Sequence, residues 1–160
     1  MGKLFCDADR CLFDSVAQEV NELAGTTGYI FQLEQDESVR DPLYDEPSDM
    51  AYKRNSEGVE GIECPMLVKD PERSPTSGEE GFRLQKNTRV YVAVKDLTNR
   101  DLRRPRVGDI FKIWNQYYDV TDSSVGDAYV SDSGEIPVVY EVNVVRRTQS
   151  PPEGLWLRNQ

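Results

Sequence analysis

Arg104-Pro-Arg-Val-Gly-Asp109-Ile-Phe-Lys-Ile-Trp114-Asn-Gln-Tyr-Tyr-Asp-Val120 is the stretch on which the fold turns. Pro105 fixes the backbone ahead of a tight turn, Gly108 supplies that turn, and a hairpin opens at Asp109. Asp109–Trp114 and Gln116–Val120 are short runs of branched and aromatic residues, with Asn115-Gln116 between them as a two-residue connection. Upstream, Arg89–Lys95 alternates toward a core through Val90, Val92 and Val94. Downstream, Asp127–Val130 and Val138–Val145 are further strands, with a turn at Asp132-Ser-Gly134. Gly28–Leu33 adds one more near the N-terminus. Short strands at this close spacing predict a mainly β fold, a small antiparallel barrel or sandwich.

Before the strands, Leu12, Val16, Val20 and Leu23 fall at helical spacing, widened by Phe13, Ala17 and Ala24. That stripe predicts an amphipathic helix over residues 9–24. Asp7 or Asp9 is placed to cap it, and Gly25 sits where a C-cap favours positive φ. Residues 34–81 form a long acidic excursion. Asp41–Pro47 is turn chemistry holding Leu43 and Tyr44, and Gly61–Val68 is a short strand that Pro65 confines to an edge or a bulge. Lys69–Gly78, with Pro71 and Pro75, reads as loop. An excursion this long is functional or disordered rather than a neutral connector. The β core covers residues 82–147 together with strand 28–33, and residues 148–160 form a C-terminal arm ending in Leu155-Trp156-Leu157. The whole is read as a single domain over residues 1–160.

The chain has 160 residues, 29 acidic and 19 basic side chains, a formal net charge of −10 and no histidine. Without histidine there is no Ser-His-Asp or Cys-His catalysis, no HExxH metalloprotease site and no imidazole acid–base chemistry. Hydrophobic residues make up 38%, against about 45–50% in ordinary globular domains, so much of the chain is expected outside one core. No apolar run approaches a membrane span of roughly 20 residues. The first residues lack the apolar segment of a signal peptide, and a soluble protein without membrane contact is expected. Three cysteines, Cys6, Cys11 and Cys64, are an odd count and read as small buried hydrophobes. Net charge is −3 over residues 1–33, −6 over 34–60, −3 over 61–82 and +2 over 83–160. Such a distribution repels free nucleic acid at long range.

Two constellations invite a chemical reading. Asp7-Ala-Asp9 resembles the DxDxT nucleophile loop of haloacid-dehalogenase-type phosphatases, which would make the chain a small Mg²⁺-dependent enzyme. That chemistry needs the loop at the end of a buried parallel strand, whereas only Lys3–Cys6 precedes it and Arg10-Cys11 replaces Gly-Thr. Helix-first-turn acids are the plainer reading. Arg100, Arg103, Arg104 and Arg106, with Trp114, Tyr117 and Tyr118 nearby, suggest instead a nucleic-acid-binding barrel. Against it stand the overall acidity and an alternation that assigns those aromatics to the core.

The order of features carries a wider likeness. A helix ending Val20-Asn-Glu-Leu-Ala-Gly25 leads into Tyr29-Ile-Phe31. Then come the acidic Asp41–Pro47 loop, the Gly-Phe-Arg-Leu-Gln85 strand, Arg89–Val94, Pro-Arg-Val-Gly-Asp109 and Tyr140-Glu-Val-Asn-Val144. This order resembles the neck proteins of tailed bacteriophages, the head-to-tail connector and head-closure components, over residues 20–147. The resemblance implies a non-enzymatic virion protein, a small barrel whose loops and arms clasp neighbours in a homo-oligomeric ring, a hexamer, and which works in the virion neck after assembly in the host cytoplasm. Its partners would be a portal or head–tail adaptor protein on one side and a tail terminator or tail-tube protein on the other, with genomic DNA passing through without sequence-specific contact. Leu43, Tyr44, Arg103, Arg104, Arg106, Leu155, Trp156 and Leu157 are the expected subunit or partner contacts. Asp36, Glu37, Asp45 and Asp49 are expected to line the DNA channel, because they carry the densest negative charge. No catalytic residue, cofactor or metal ligand is assigned.

Overall fold

The computed structural model describes residues 7–40, 47–55, 58, 61–78, 81–131 and 134–147. Among them, α1 (Asp7–Ala24) is followed by β1 (Thr26–Phe31), β2 (Leu33–Arg40), β3 (Pro47–Tyr52), β4 (Ile62–Gly78) and β5 (Gly81–Ala93). Then come α2 (Val94–Asn99), β6 (Ile110–Ile113), β7 (Gln116–Ser131) and β8 (Gly134–Arg146). Six strands close an antiparallel barrel in the cyclic order β1-β4-β5-β8-β7-β6, and β2 and β3 form a separate two-stranded sheet.

Alternation along the strands turns one face of each into the barrel. Val90 and Val92 of β5 meet Met66 of β4, Phe111 of β6, and Val142 and Val144 of β8, all fully buried. A fully buried side chain of this kind contributes roughly 1.5–3 kcal/mol, so this interior holds the fold. A second, smaller cluster of Phe31, Tyr52 and Ile110 lies outside the barrel wall and seats the β2–β3 sheet on it. Its Phe31 and Tyr52 rings meet edge to face at 6.4 Å.

The mainly β barrel expected from sequence is therefore the fold, but several boundaries differ for physical reasons. Lys69–Gly78 is strand, not loop: it continues β4 and pairs with β5 as far as Gly78↔Gly81. Gln116–Val120 and Asp127–Val130 are one strand, β7, with register shifts near Val120 and Val125–Ala128. Backbone pairing persists there although Thr121, Asp122 and Ser124–Ala128 are exposed, so the periodic burial that reveals a strand is missing. Val94 is not a core strand residue, because β5 ends at Ala93 and α2 starts there. The β6–β7 connection is Trp114-Asn115 rather than Asn115-Gln116, since Ile113 pairs with Gln116.

Helix α1 is present, beginning two residues earlier than expected, and it is mounted the other way round from an ordinary amphipathic helix. It packs against β4, β5, β8 and α2 through Asn21, which is buried, and the half-buried Asp14, Ala17 and Gln18. Gln18 Nε2 donates to Asp96 Oδ1 at 2.9 Å. Leu12, Val16, Val20 and Leu23 are exposed. Gly25 does not serve through positive φ. A Cβ there would lie 2.2 Å from the Asn21 carbonyl oxygen and 2.6 Å from that of Met66, so glycine is required by close approach of the helix end to β4.

Candidate functional site

Asp109 organises the region that the sequence marked out. Its carboxylate is buried and accepts a two-pronged contact from Arg103, Nη2 to Oδ1 at 2.7 Å and Nη1 to Oδ2 at 2.8 Å. It also accepts from the backbone N–H of Leu33 at 2.9 Å and of Arg106 at 2.8 Å. Arg103 donates in addition to the carbonyls of Leu33 and Arg104, both at 3.0 Å. Gln32 closes the knot: its Nε2 donates to the Arg103 carbonyl at 2.6 Å, and its Oε1 accepts from the Arg103 N–H at 3.2 Å. Gly108 at φ +101° lets the chain turn into β6. The Pro-Arg-Val-Gly-Asp stretch thus ties the β1–β2 junction to the start of the β6–β7 hairpin, and its polar groups are mutually satisfied as burial demands.

That bracing decides what the arginines can do. Arg100 is held by Asp96 at 3.2 Å and donates to the Glu63 carbonyl at 2.7 Å. Arg103 is held by Asp109. Arg104 donates to the Ser123 backbone carbonyl and lies over the Tyr140 ring at 5.2 Å. Arg106 is exposed. A groove of converging cations for a phosphate backbone is therefore not formed by these four, and Tyr118 faces the barrel core. The stretch works as an internal brace, with Arg104 and Arg106 exposed and the exposed Val107 next to Arg106.

The hairpin that the brace positions ends in an unusual tip. Trp114 at φ 47° and Asn115 at φ 64° are both left-handed, the pattern of a type I′ turn, which normally takes Asn-Gly. A bulky residue there is a backbone outlier, and the Trp114 ring is exposed. Two residues back, Lys112 pairs with Tyr29 of β1 on one side and Tyr117 of β7 on the other, its ammonium 5.5 Å from the Tyr117 ring centre. The outer barrel wall here is an aromatic and cationic strip. The sequence places Trp114 at the end of a strand, and its residue type does not mark it as a turn residue, because tryptophan disfavours positive φ.

Among the other expected residues, Asp36 and Glu37 lie on β2 and Asp49 lies on β3, so three of the four acids belong to one two-stranded sheet. Asp45, Leu43, Tyr44, Leu155, Trp156 and Leu157, together with Cys6, lie outside the described residues. Asp7 and Asp9 are in the first turn of α1, and every described strand pairing is antiparallel. The parallel strand and loop that the phosphatase reading needs are not found among the described residues. Cys64 is buried, but Cys11 is exposed, against the expectation of a buried hydrophobe. Burial pushes the Cys64 thiol up to about 12; Arg100 opposes the shift and Asp96 adds to it. Among the described residues no three His, Cys, Asp or Glu side chains are grouped as metal ligands would be, and no helix is long and apolar enough to cross a membrane. A shallow cleft of about 370 Å³ runs beside Gln32, Leu33 and Arg103, bridged by the Lys53–Asp101 ion pair at 2.9 Å.

No protein-family model matches the sequence, and no curated protein matches it. A chain in a solved structure described as the virion of a native gene transfer agent particle is similar to this one. Its TM-score is 0.47 and its sequence identity 12%, over 78% of this chain and 96% of that chain.

Proposed function

We propose that this chain is a structural protein of the tailed-phage neck. Several copies, six in the simplest case, form a ring between the portal or head–tail adaptor and the tail terminator or tail tube, around the path of the DNA. The observation that carries this reading is a small closed barrel that spends much of its chain outside its own core. The β4–β5 and β7–β8 ladders reach Gly78↔Gly81 and Ser131↔Gly134, with exposed residues along the outer part of β7. Extensions of this kind hold neighbours rather than substrates, in keeping with the order of features from residue 20 to 147. The acidic β2–β3 sheet supplies the channel wall in this reading, because negative side chains keep a phosphate backbone sliding instead of adhering. The C-terminal Leu155-Trp156-Leu157 reaches an adjacent subunit or ring.

The test is genetic. Particles made without this protein should accumulate as DNA-filled heads and separate, complete tails, and supplying the protein in trans should restore joining. Normal tailed particles in its absence would overturn the proposal.

A further inference from the structure

Two apolar surfaces stand apart from the braced loop, on different elements of the fold. One is the outward face of helix α1, which packs on β4, β5 and β8; the other lies on β1 and the β6–β7 hairpin, which are neighbours in the barrel. On α1, Leu12 is 60% exposed, Val16 47%, Val20 44% and Leu23 79%. The same helix carries five acids and one base, with Glu19 and Glu22 exposed beside the stripe. On the second surface, Trp114 is 64% exposed and Tyr29 42%, with Lys112 between Tyr29 and Tyr117. One face is apolar with an acidic rim; the other is aromatic with a cation at its centre and the exposed Glu63 at its far edge, beside Tyr29.

We propose that these faces bind each other, the α1 face of one copy receiving the Trp114 hairpin tip and the Tyr29–Lys112 strip of the next. This rests on the ring reading and names its subunit contact. Two different, complementary patches on one subunit generate a head-to-tail contact, which closes into a ring when the rotation allows. An α1-to-α1 pairing would instead bring two acidic helices together, a like-charge penalty that the head-to-tail arrangement avoids by setting Lys112 against the acidic rim. The backbone supplies an independent argument. Asparagine or glycine fits φ 47° at far lower cost than tryptophan; strained positions cluster at functional contacts, and tryptophan is among the commonest interface anchors.

Sedimentation velocity of the purified full-length protein tests this with two variants chosen to leave the fold intact. Trp114→Asn relieves the turn, and Val16→Gln with Val20→Gln keeps helix-forming residues at exposed sites. Wild type is expected to associate with concentration, and each variant alone to associate about thirty-fold more weakly, the effect of truncating an aromatic hot spot. An equimolar mixture of the two variants is expected to give dimers and nothing larger, because each keeps one intact complementary face. A wild type that remains monomeric at its highest soluble concentration overturns the pairing. So does a helix variant that loses association while Trp114→Asn keeps it, which would indicate paired helices. If deleting residues 148–160 abolishes association, the arm occupies the α1 face, and the pairing is again wrong. Rings that form normally from both variants refute this contact while leaving the ring reading standing.

Discussion

At the scale of single residues, the Pro-Arg-Val-Gly-Asp stretch was legible as a turn into a hairpin, but not as a brace. Nothing in its spacing announces that Asp109 reaches back to the Leu33 N–H, 76 residues away. Replacing Asp109 with alanine strands the Arg103 guanidinium and two backbone N–H groups. Because Arg103 keeps about a third of its side chain in water, the cost should lie near 3 kcal/mol, the low end for breaking a buried pair. Asp109→Asn, which keeps one acceptor oxygen, should cost less, and urea unfolding of the two variants checks the order. Trp114→Asn should have the opposite sign, stabilising the isolated chain by roughly 0.5–1 kcal/mol through relief of the left-handed backbone. Thermal unfolding reads that directly. Cys64 predicts a pH effect. Its folded-state value is raised from 9.0 to about 12, so its contribution is complete below pH 9 and is lost as pH rises toward 12, where only the unfolded chain ionises. Relative to Cys64→Val, wild type should lose up to about 1.4 kcal/mol per pH unit across that window. Parallel slopes for the two proteins would contradict it.

At the scale of elements, burial explains what could be read. Strands that line the barrel, such as Val90–Val92 and Val142–Val144, showed their alternation because one face is dry. The outer part of β7 did not, because a ladder satisfied by backbone pairing places no demand on side chains in water. Pro71 and Pro75, read as loop markers, sit within β4, whose pairing with β5 continues through Pro75↔Leu84. Helix α1 was legible as a helix but not in its orientation, since period 3.6 reports that a stripe exists and not what covers it. The polar docking face, with Asn21 buried and Gln18 bonded to Asp96, depends on a partner 78 residues away. These elements also let stability be tested apart from the proposed assembly role. Replacing residues 128–137 with Asn-Gly shortens the β7–β8 ladder beyond Asp127↔Val139 without touching the barrel core. Its unfolding free energy should stay within about 0.5 kcal/mol of wild type, while incorporation into particles is lost. A large drop in stability would show the outer ladder to be part of the cooperative core.

At the scale of the whole molecule, composition and architecture agree. A 38% hydrophobic chain builds one small barrel and leaves an apolar helix face and an aromatic hairpin tip exposed, with two long ladders extending from the barrel. The excess negative charge precedes residue 83, and part of it is gathered on β2–β3. Neutralising Asp36, Glu37, Asp45 and Asp49 together should leave the isolated chain folded, as judged by far-ultraviolet circular dichroism, and impair DNA retention or ejection; unchanged genome release would remove the channel role. Removing residues 151–160 should leave thermal unfolding nearly unaltered while preventing stable incorporation, because chain termini ordinarily add little to the stability of a domain. If this barrel is a ring subunit in a neck, cryo-electron microscopy of particles carrying the protein will show density for a closed ring of copies between head and tail, with the Trp114 tip of each copy seated on α1 of its neighbour. A neck whose density is fully occupied by other chains, with this protein missing from the purified particle, would contradict it.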